Sequence, residues 1–282
     1  MTDDAVVLRA WDFSETSQTV SLFGRELGVV RGLAKGAKRE RSSFAGGFEP
    51  LARGDITLVQ RPTSELATLT EWQLRSLCHA ARRRLRAHHI ALYLVDLCDR
   101  SLSPADPHPM VFDALVVALD RLARQPEADG ATTAGFQLTL LGECGYAPHL
   151  DPPPGPAPAT LVFDAEAGTV RTAPAAPGVW GVRSETLSAL RALEADEPSP
   201  EHDLWRGARL LHAYWTWQFR RELLSAALAL GGVAGPPLPR SERSNPAPAV
   251  DSGVERSDDS PVAEPLPGVP FRSTGGTPCR SR

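Results

Sequence analysis

Short β-branched and aromatic runs alternate with polar breaks over the first seventy or so residues. AVVLRAW (residues 5–11), QTVSLFG (18–24), GVVRGLA (28–34) and DITLVQ (55–60) are separated by polar or glycine-bearing turns at 12–17, 25–28 and 53–55. SELATLTEW (64–72) supplies a fifth run. Five short strands so close together predict a small closed barrel, because closure leaves no unprotected sheet edge.

Near Glu71 the period shifts from two residues to between three and four. Residues 88–100 place Ile90, Ala91, Leu94, Val95 and Cys98 on one helical face, and residues 110–124 do the same with Phe112, Leu115, Val116, Leu119 and Leu122. Pro104, Pro107 and Pro109 separate the two helices. A third helix is predicted over 134–144, stopped by Gly145. DPPPGPAPA (151–159) excludes regular structure; LVFDAEAGTVRT (161–172) then reads as a hairpin around Ala167-Gly168, followed by a loose APAAPGVWG. SETLSALRAL, opening at Ser184, predicts a short helix. Residues 203–230 predict one long helix. Leu204, Ala208, Leu211, Trp215, Phe219 and Leu223 form its stripe, and Leu210, Tyr214, Trp217, Leu224 and Leu228 widen it until the helix should be largely buried. After Gly231 the chain is rich in Pro, Ser, Gly and charge and is expected to be disordered.

Composition narrows the class. Of the 282 residues 42% are hydrophobic, enough to bury a core, and the net charge of −4 excludes a globally basic nucleic-acid coat protein. The charge is uneven, however. Arg25, Arg31, Lys35, Lys38, Arg39 and Arg41 face only Glu26 and Glu40, and Arg75, Arg82, Arg83, Arg84 and Arg86 occur with no acid among them. Local patches of this kind set the field that a phosphate backbone feels. Cys78, Cys98, Cys144 and Cys279 are widely spaced with no CxxC, which argues for buried thiols over a disulfide framework. Met1 to Asp4 is acidic and polar, not a signal sequence, and no apolar run is long enough to span a bilayer, so a cytoplasmic protein is expected.

The segment VVLRAWDFSETSQTVSLFGRELGVVRGLAKGAKRERSSFAGGFEPL resembles the RecO family of bacterial recombinational-repair mediators. The likeness rests on Leu8-Arg9, Glu15-Thr16, Leu22-Phe23, Gly28, Ala34-Lys35-Gly36-Ala37, Ser43-Phe44 and Glu49-Pro50. FQLTLLGECGYAPHL and a closing helix with Tyr214 and Arg220-Arg221 extend it more weakly. The resemblance implies an α+β chain: an oligonucleotide-binding (OB-fold) barrel over 1–75 and a mainly α-helical domain over 76–148 and 183–231. An insertion over 149–182 would divide that domain, with a tail over 232–282. It implies binding of single- and double-stranded DNA, strand annealing, DNA repair and recombination, and partnership with RecR and single-stranded-DNA-binding protein, at the nucleoid and away from membranes. Many relatives carry a four-cysteine zinc module where this chain has a segment without cysteine. Cys144 and His149 do not make up a four-ligand site, so a metal-free hairpin packed through Leu161, Phe163 and Val170 is expected, with no cofactor.

The candidate DNA-binding residues are Arg9, Trp11, Arg31, Lys35, Lys38, Arg39, Arg41, Arg82, Arg83 and Arg86. Residues 31–41 read either as a phosphate-contacting loop, with Gly32 and Gly36 allowing close backbone approach, or as a solvated hairpin tip. Alternation puts Arg9 and Trp11 on one strand face and Leu8 on the other, so Trp11 is the better candidate for stacking on bases, whereas Phe23 and Phe44 fit the barrel core. Arg82, Arg83, Arg84 and Arg86 fan around a helix; they either extend the DNA path or are solvated and paired with acids such as Asp96 or Asp99. His79, His88 and His89 read as structural. No P-loop, GxGxxG, HExxH or nucleophile elbow occurs, so no enzyme is expected. The rival reading is a protein-interaction adaptor that keeps the barrel but binds DNA weakly.

Overall fold

A computed structural model describes residues 1–39, 42–61, 64, 66–78, 83–153, 161–172 and 178–231. Arg41, His79, Arg82 and the tail lie outside the described residues. The barrel is built from β1 (Thr2–Asp12), β2 (Gln18–Gly24), β3 (Gly28–Ala34), β5 (Arg53–Val59) and β6 (Ala67–Ser76), with a short β4 (Phe44–Ala45) added to β6. The strand order is β3-β2-β1-β5-β6-β4, and a parallel β3–β6 pairing from Gly32↔Ala67 to Ala34↔Leu69 closes the ring. Closure requires Gly32: a Cβ there would lie 2.5 Å from the Leu69 side chain.

β1 shows why AVVL is apolar without interruption. Ala5 and Val7 join Val20, Leu22, Ile56, Leu58 and Trp72 inside the barrel. Val6 and Leu8, with Phe23, Val29 and Leu51, pack outward into the core of the helical part. Both faces of the strand are therefore buried as far as Leu8, and a bulge between Val7 and Arg9 then sets Leu8 and Arg9 on the same, helix-facing side, not on the opposite faces that alternation predicts.

One expected boundary was wrong. The helical period near Glu71 is a strand: β6 runs to Ser76 and buries Trp72 in the barrel. Thr57 pairs with Glu71 but Leu58 with Leu69, so Thr70 is an extra residue in a bulge. The bulge spaces the inward residues Leu69 and Trp72 three apart, which mimics a helix.

The helical part comprises α1 (Leu85–Ser101), α2 (Pro109–Arg124), α3 (Asp129–Glu143), α4 (Ser184–Glu194), α5 (Glu201–Phe219) and α6 (Leu224–Leu230). α1 is central and buries Ala87, Ile90, Ala91, Tyr93, Leu94, Val95, Leu97 and Cys98. The single long helix expected over 203–230 is broken. Arg220 takes a left-handed conformation (φ 52°) and ends α5, its guanidinium 4.4 Å from the centroid of the Trp217 ring. The restart turns Leu224 and Leu228 out to solvent, 93% and 62% exposed, so they do not extend the buried stripe.

The described residues between 149 and 182 hold three strands, not a hairpin alone. β7 (Leu161–Asp164), β8 (Thr169–Arg171) and β9 (Val179–Val182) pair in the order β8-β7-β9, so GVWG, read as loose, is the third strand. Leu161, Phe163 and Val170 are buried against the helices, with Phe163 edge-on to Tyr214 at 5.1 Å.

Candidate nucleic-acid interface

Beyond the helical contact, Trp11 and Arg31 of β1 and β3 are exposed, and Thr19 of β2 and Leu33 of β3 half-buried. The register aligns Arg9, Ser21 and Arg31 in one cross-strand row and Trp11, Thr19 and Leu33 in the next. Lys35 follows just past the end of β3 and Phe13 just past β1, where the Phe13 N–H donates to Ser17 O at 3.0 Å. Trp11, Phe13, Arg31 and Lys35, on or just past β1 and β3, are all exposed.

The basic loop is pinned to the β1–β2 turn. Gly36 N–H donates to Ser17 Oγ at 3.2 Å and Lys38 N–H to Thr16 O at 3.1 Å. Lys38 Nζ lies 2.5 Å from Asp12 Oδ1, and this contact holds the Asp12 carboxyl below the usual carboxylate range. The positive φ of 72° at Gly36 makes the turn that Lys35 and Arg39 flank. Asp12, Thr16 and Ser17 were missed as loop-positioning residues; the only signal in the sequence is their position in the polar turn between two strands.

Other arginines of the barrel are already engaged. Arg9 Nη2 sits 2.7 Å from Asp96 Oδ1 and its Nε 3.0 Å from Asp99 Oδ2, both on α1, while Ser21 Oγ donates to Asp99 Oδ1 at 3.0 Å. Arg25 spans to Asp113 on α2 through two bonds of 3.0 and 2.8 Å, which hold the Asp113 carboxyl down. Arg53 is bound to Asp4, and Arg75 to Asp4 and Asp55. Among the described residues no carboxylate pairs with Arg31, Lys35 or Arg39.

The arginines around residue 84 form a separate surface. Asp96 and Asp99 serve Arg9; Arg84 is paired with Asp129 at 2.9 Å, and Arg86 lies 4.2 Å over the Trp205 ring. Arg83 is exposed. Ten residues of α1 separate Arg86 from Asp96, about 15 Å along the axis, so Arg83 and Arg86 are not brought to the row that holds Arg9.

A zinc ion does not fit the residues present. No three His, Cys, Asp or Glu side chains converge among the described residues. Burial pushes the Cys144 thiol up to about 11, away from the thiolate a metal requires. No helix among the described residues is long and apolar enough to cross a membrane.

Residues 1–77, spanning the barrel, match the family model described as Recombination protein O N terminal, and residues 82–152 match Recombination protein O C terminal. The DNA repair protein RecO of Myxococcus xanthus is 31% identical over 239 residues, covering 79% of this chain and 94% of that protein. Its counterpart in Salinibacter ruber is 36% identical over 147 residues, 52% of this chain and 56% of the relative. The Geobacter metallireducens protein of the same name is 38% identical over 148 residues, 52% of this chain and 59% of the relative. The chain thus spans little more than half the length of these last two relatives. An oligonucleotide-binding barrel that docks on helices, family models over both parts and a relative aligned along most of its length lead to one conclusion: the chain belongs to the RecO family.

Proposed function

We propose that this chain is a non-enzymatic mediator of DNA repair and recombination. It binds single- and double-stranded DNA through the outer face of the barrel and anneals complementary strands. With RecR it assists recombinase loading on strands coated by single-stranded-DNA-binding protein, in the cytoplasm at the nucleoid and without a cofactor. The observation that carries this reading is selective: while Arg9, Arg25, Arg53 and Arg75 are paired with carboxylates, no carboxylate among the described residues pairs with Arg31, Lys35 or Arg39, and Trp11 and Phe13 are exposed on the same barrel. Free cations next to one another screen two phosphate backbones at once, and annealing then needs no bond to form or break.

The test is DNA affinity against salt. Each phosphate contact adds about 0.7 to the logarithmic salt slope on a single strand, so Lys35→Ala, Lys38→Ala and Arg39→Ala together should lower it by up to about 2. An unchanged slope would reject the assignment. Arg83→Ala with Arg86→Ala, titrated in the same way, reads whether the separate helical surface contributes. A second reading, an adaptor with weak DNA binding, draws on the number of paired arginines. Capture of RecR without any shift of labelled DNA would favour it.

A further inference from the structure

All six tryptophans and eight of the nine phenylalanines are described, and among them only Trp11 and Phe13 are exposed, at 44% and 63%. Isolated exposed aromatics are ordinary on a protein surface. Trp11 lies near the end of β1 and Phe13 two residues on, just past the strand; two strands over, Arg31 is exposed on β3 and Lys35 follows just past its end, and no carboxylate among the described residues pairs with either cation. We propose that Trp11 and Phe13 form a two-step platform on which unpaired bases stack, so that this face selects single-stranded over duplex DNA. The proposal rests on the DNA-binding reading above and specifies its preferred substrate.

The spacing decides the form of the strand. Two residues of extended backbone advance about 7 Å, and the Phe13–Ser17 bond prolongs the β1–β2 pairing one residue past β1. Stacked bases in a duplex rise about 3.4 Å. Successive bases laid on Trp11 and Phe13 must therefore part from one another, which an open single strand allows and a paired helix does not. Two inter-strand spacings, across β2, separate β1 from β3, about 10 Å, so the backbone of the same strand can run beside Arg31 and Lys35 while its bases turn toward the rings. Leu33, half-buried between those cations, keeps the intervening surface apolar. The step is firmly mounted. Arg9, preceding Trp11 on the same face, is fixed to Asp96 and Asp99, and the Phe13 backbone is tied to Ser17. Neither ring fills the core, so its removal leaves the fold intact.

The experiment compares the full chain with Trp11→Ala, Phe13→Ala and Lys35→Ala on labelled oligothymidine, a blunt duplex of equal length and a strand lacking bases. Each aromatic truncation should weaken binding to oligothymidine by about 5-fold to 100-fold. Affinity for the duplex and the baseless strand should be unchanged, as should the salt slope, since no charge is lost. Trp11→Phe and Phe13→Tyr should restore binding. Lys35→Ala should behave in the opposite way, lowering the slope on every substrate. Equal losses on single strand and duplex, or none on the single strand, would overturn the platform while leaving the DNA-binding reading in place. If the unaltered chain bound neither DNA, both would fall.

Discussion

Lys38 shares a loop with Lys35 and Arg39, yet its ammonium lies 2.5 Å from Asp12 Oδ1 whereas no carboxylate among the described residues pairs with the other two. The contact depresses the Asp12 carboxyl, so Asp12 stays ionised opposite Lys38 throughout the neutral range. A phosphate reaching Lys38 must displace Asp12, and the charge available to DNA is smaller than the count of bases in residues 31–41. Asp12→Asn should free Lys38 and steepen the logarithmic salt slope on single strands by about 0.7, with tighter binding at low salt. An identical slope in the variant would mean that Lys38 does not face the strand. A second residue is constrained by shape alone. At Gly32, where β3 meets β6, an added Cβ would lie 2.5 Å from Leu69. Gly32→Ala should therefore cost about 1–3 kcal/mol in denaturant unfolding as Leu69 is forced to move.

Among the elements, α1 is apolar on most sides, and besides the Arg9 and Ser21 contacts of Asp96 and Asp99 a buried polar knot ties it to α3 and α5. Gln137 Nε2 of α3 donates to Tyr93 Oη at 2.7 Å and to Ala208 O at 3.0 Å, and Tyr93 Oη lies 3.1 Å from His212 Nδ1 of α5. Burial lowers the His212 imidazole to about 4 from 6.5. The unfolded chain thus binds a proton between those values that the native state refuses, so stability rises with pH across that window and falls on acidification. Taking the chain from pH 7 to about pH 4.5 should remove on the order of 2–3 kcal/mol through this group. Urea titrations at both pH values should show a smaller loss in His212→Gln; equal losses would exclude the imidazole as the cause. The elements that patterning misread share a physical origin. The Thr70 bulge turned a strand's period into a helix's, and the left-handed Arg220 broke an apolar stripe that looked continuous. β9 is four residues that become a strand only by pairing with β7. That Trp11 and the bases of residues 31–39 lie exposed was legible because charge and alternation are local properties. The partners of Arg9 were not, since 87 residues separate it from Asp96.

Taken as one body, residues 1–231 join the barrel to the helices through a shared core, with Val6, Leu8, Phe23, Val29 and Leu51 packed among residues of α1 and α2. Gly28 (φ 67°) and the Ala105 N–H bond to Val29 O, 3.0 Å, bring the β2–β3 turn against the loop before α2. Arg9 is the charged counterpart of this seam. Its side chain is 29% exposed and that of Asp99 only 4%, so deleting Arg9 strands a carboxylate that keeps Ser21 as a donor but loses its closest cation. A fully buried pair broken this way costs about 3–5 kcal/mol, and the partial exposure of Arg9 brings the expectation for Arg9→Ala to about 2–3 kcal/mol. Adding Asp99→Asn should recover part of that loss, because the stranded charge is gone. DNA affinity, compared at equal folded fraction, should fall less for Arg9→Ala than for Arg31→Ala, its neighbour across the row. If instead Arg9→Ala unfolds at the same denaturant concentration as the parent chain yet loses DNA as Arg31→Ala does, Arg9 is a phosphate contact and the barrel is held to the helices by apolar packing alone.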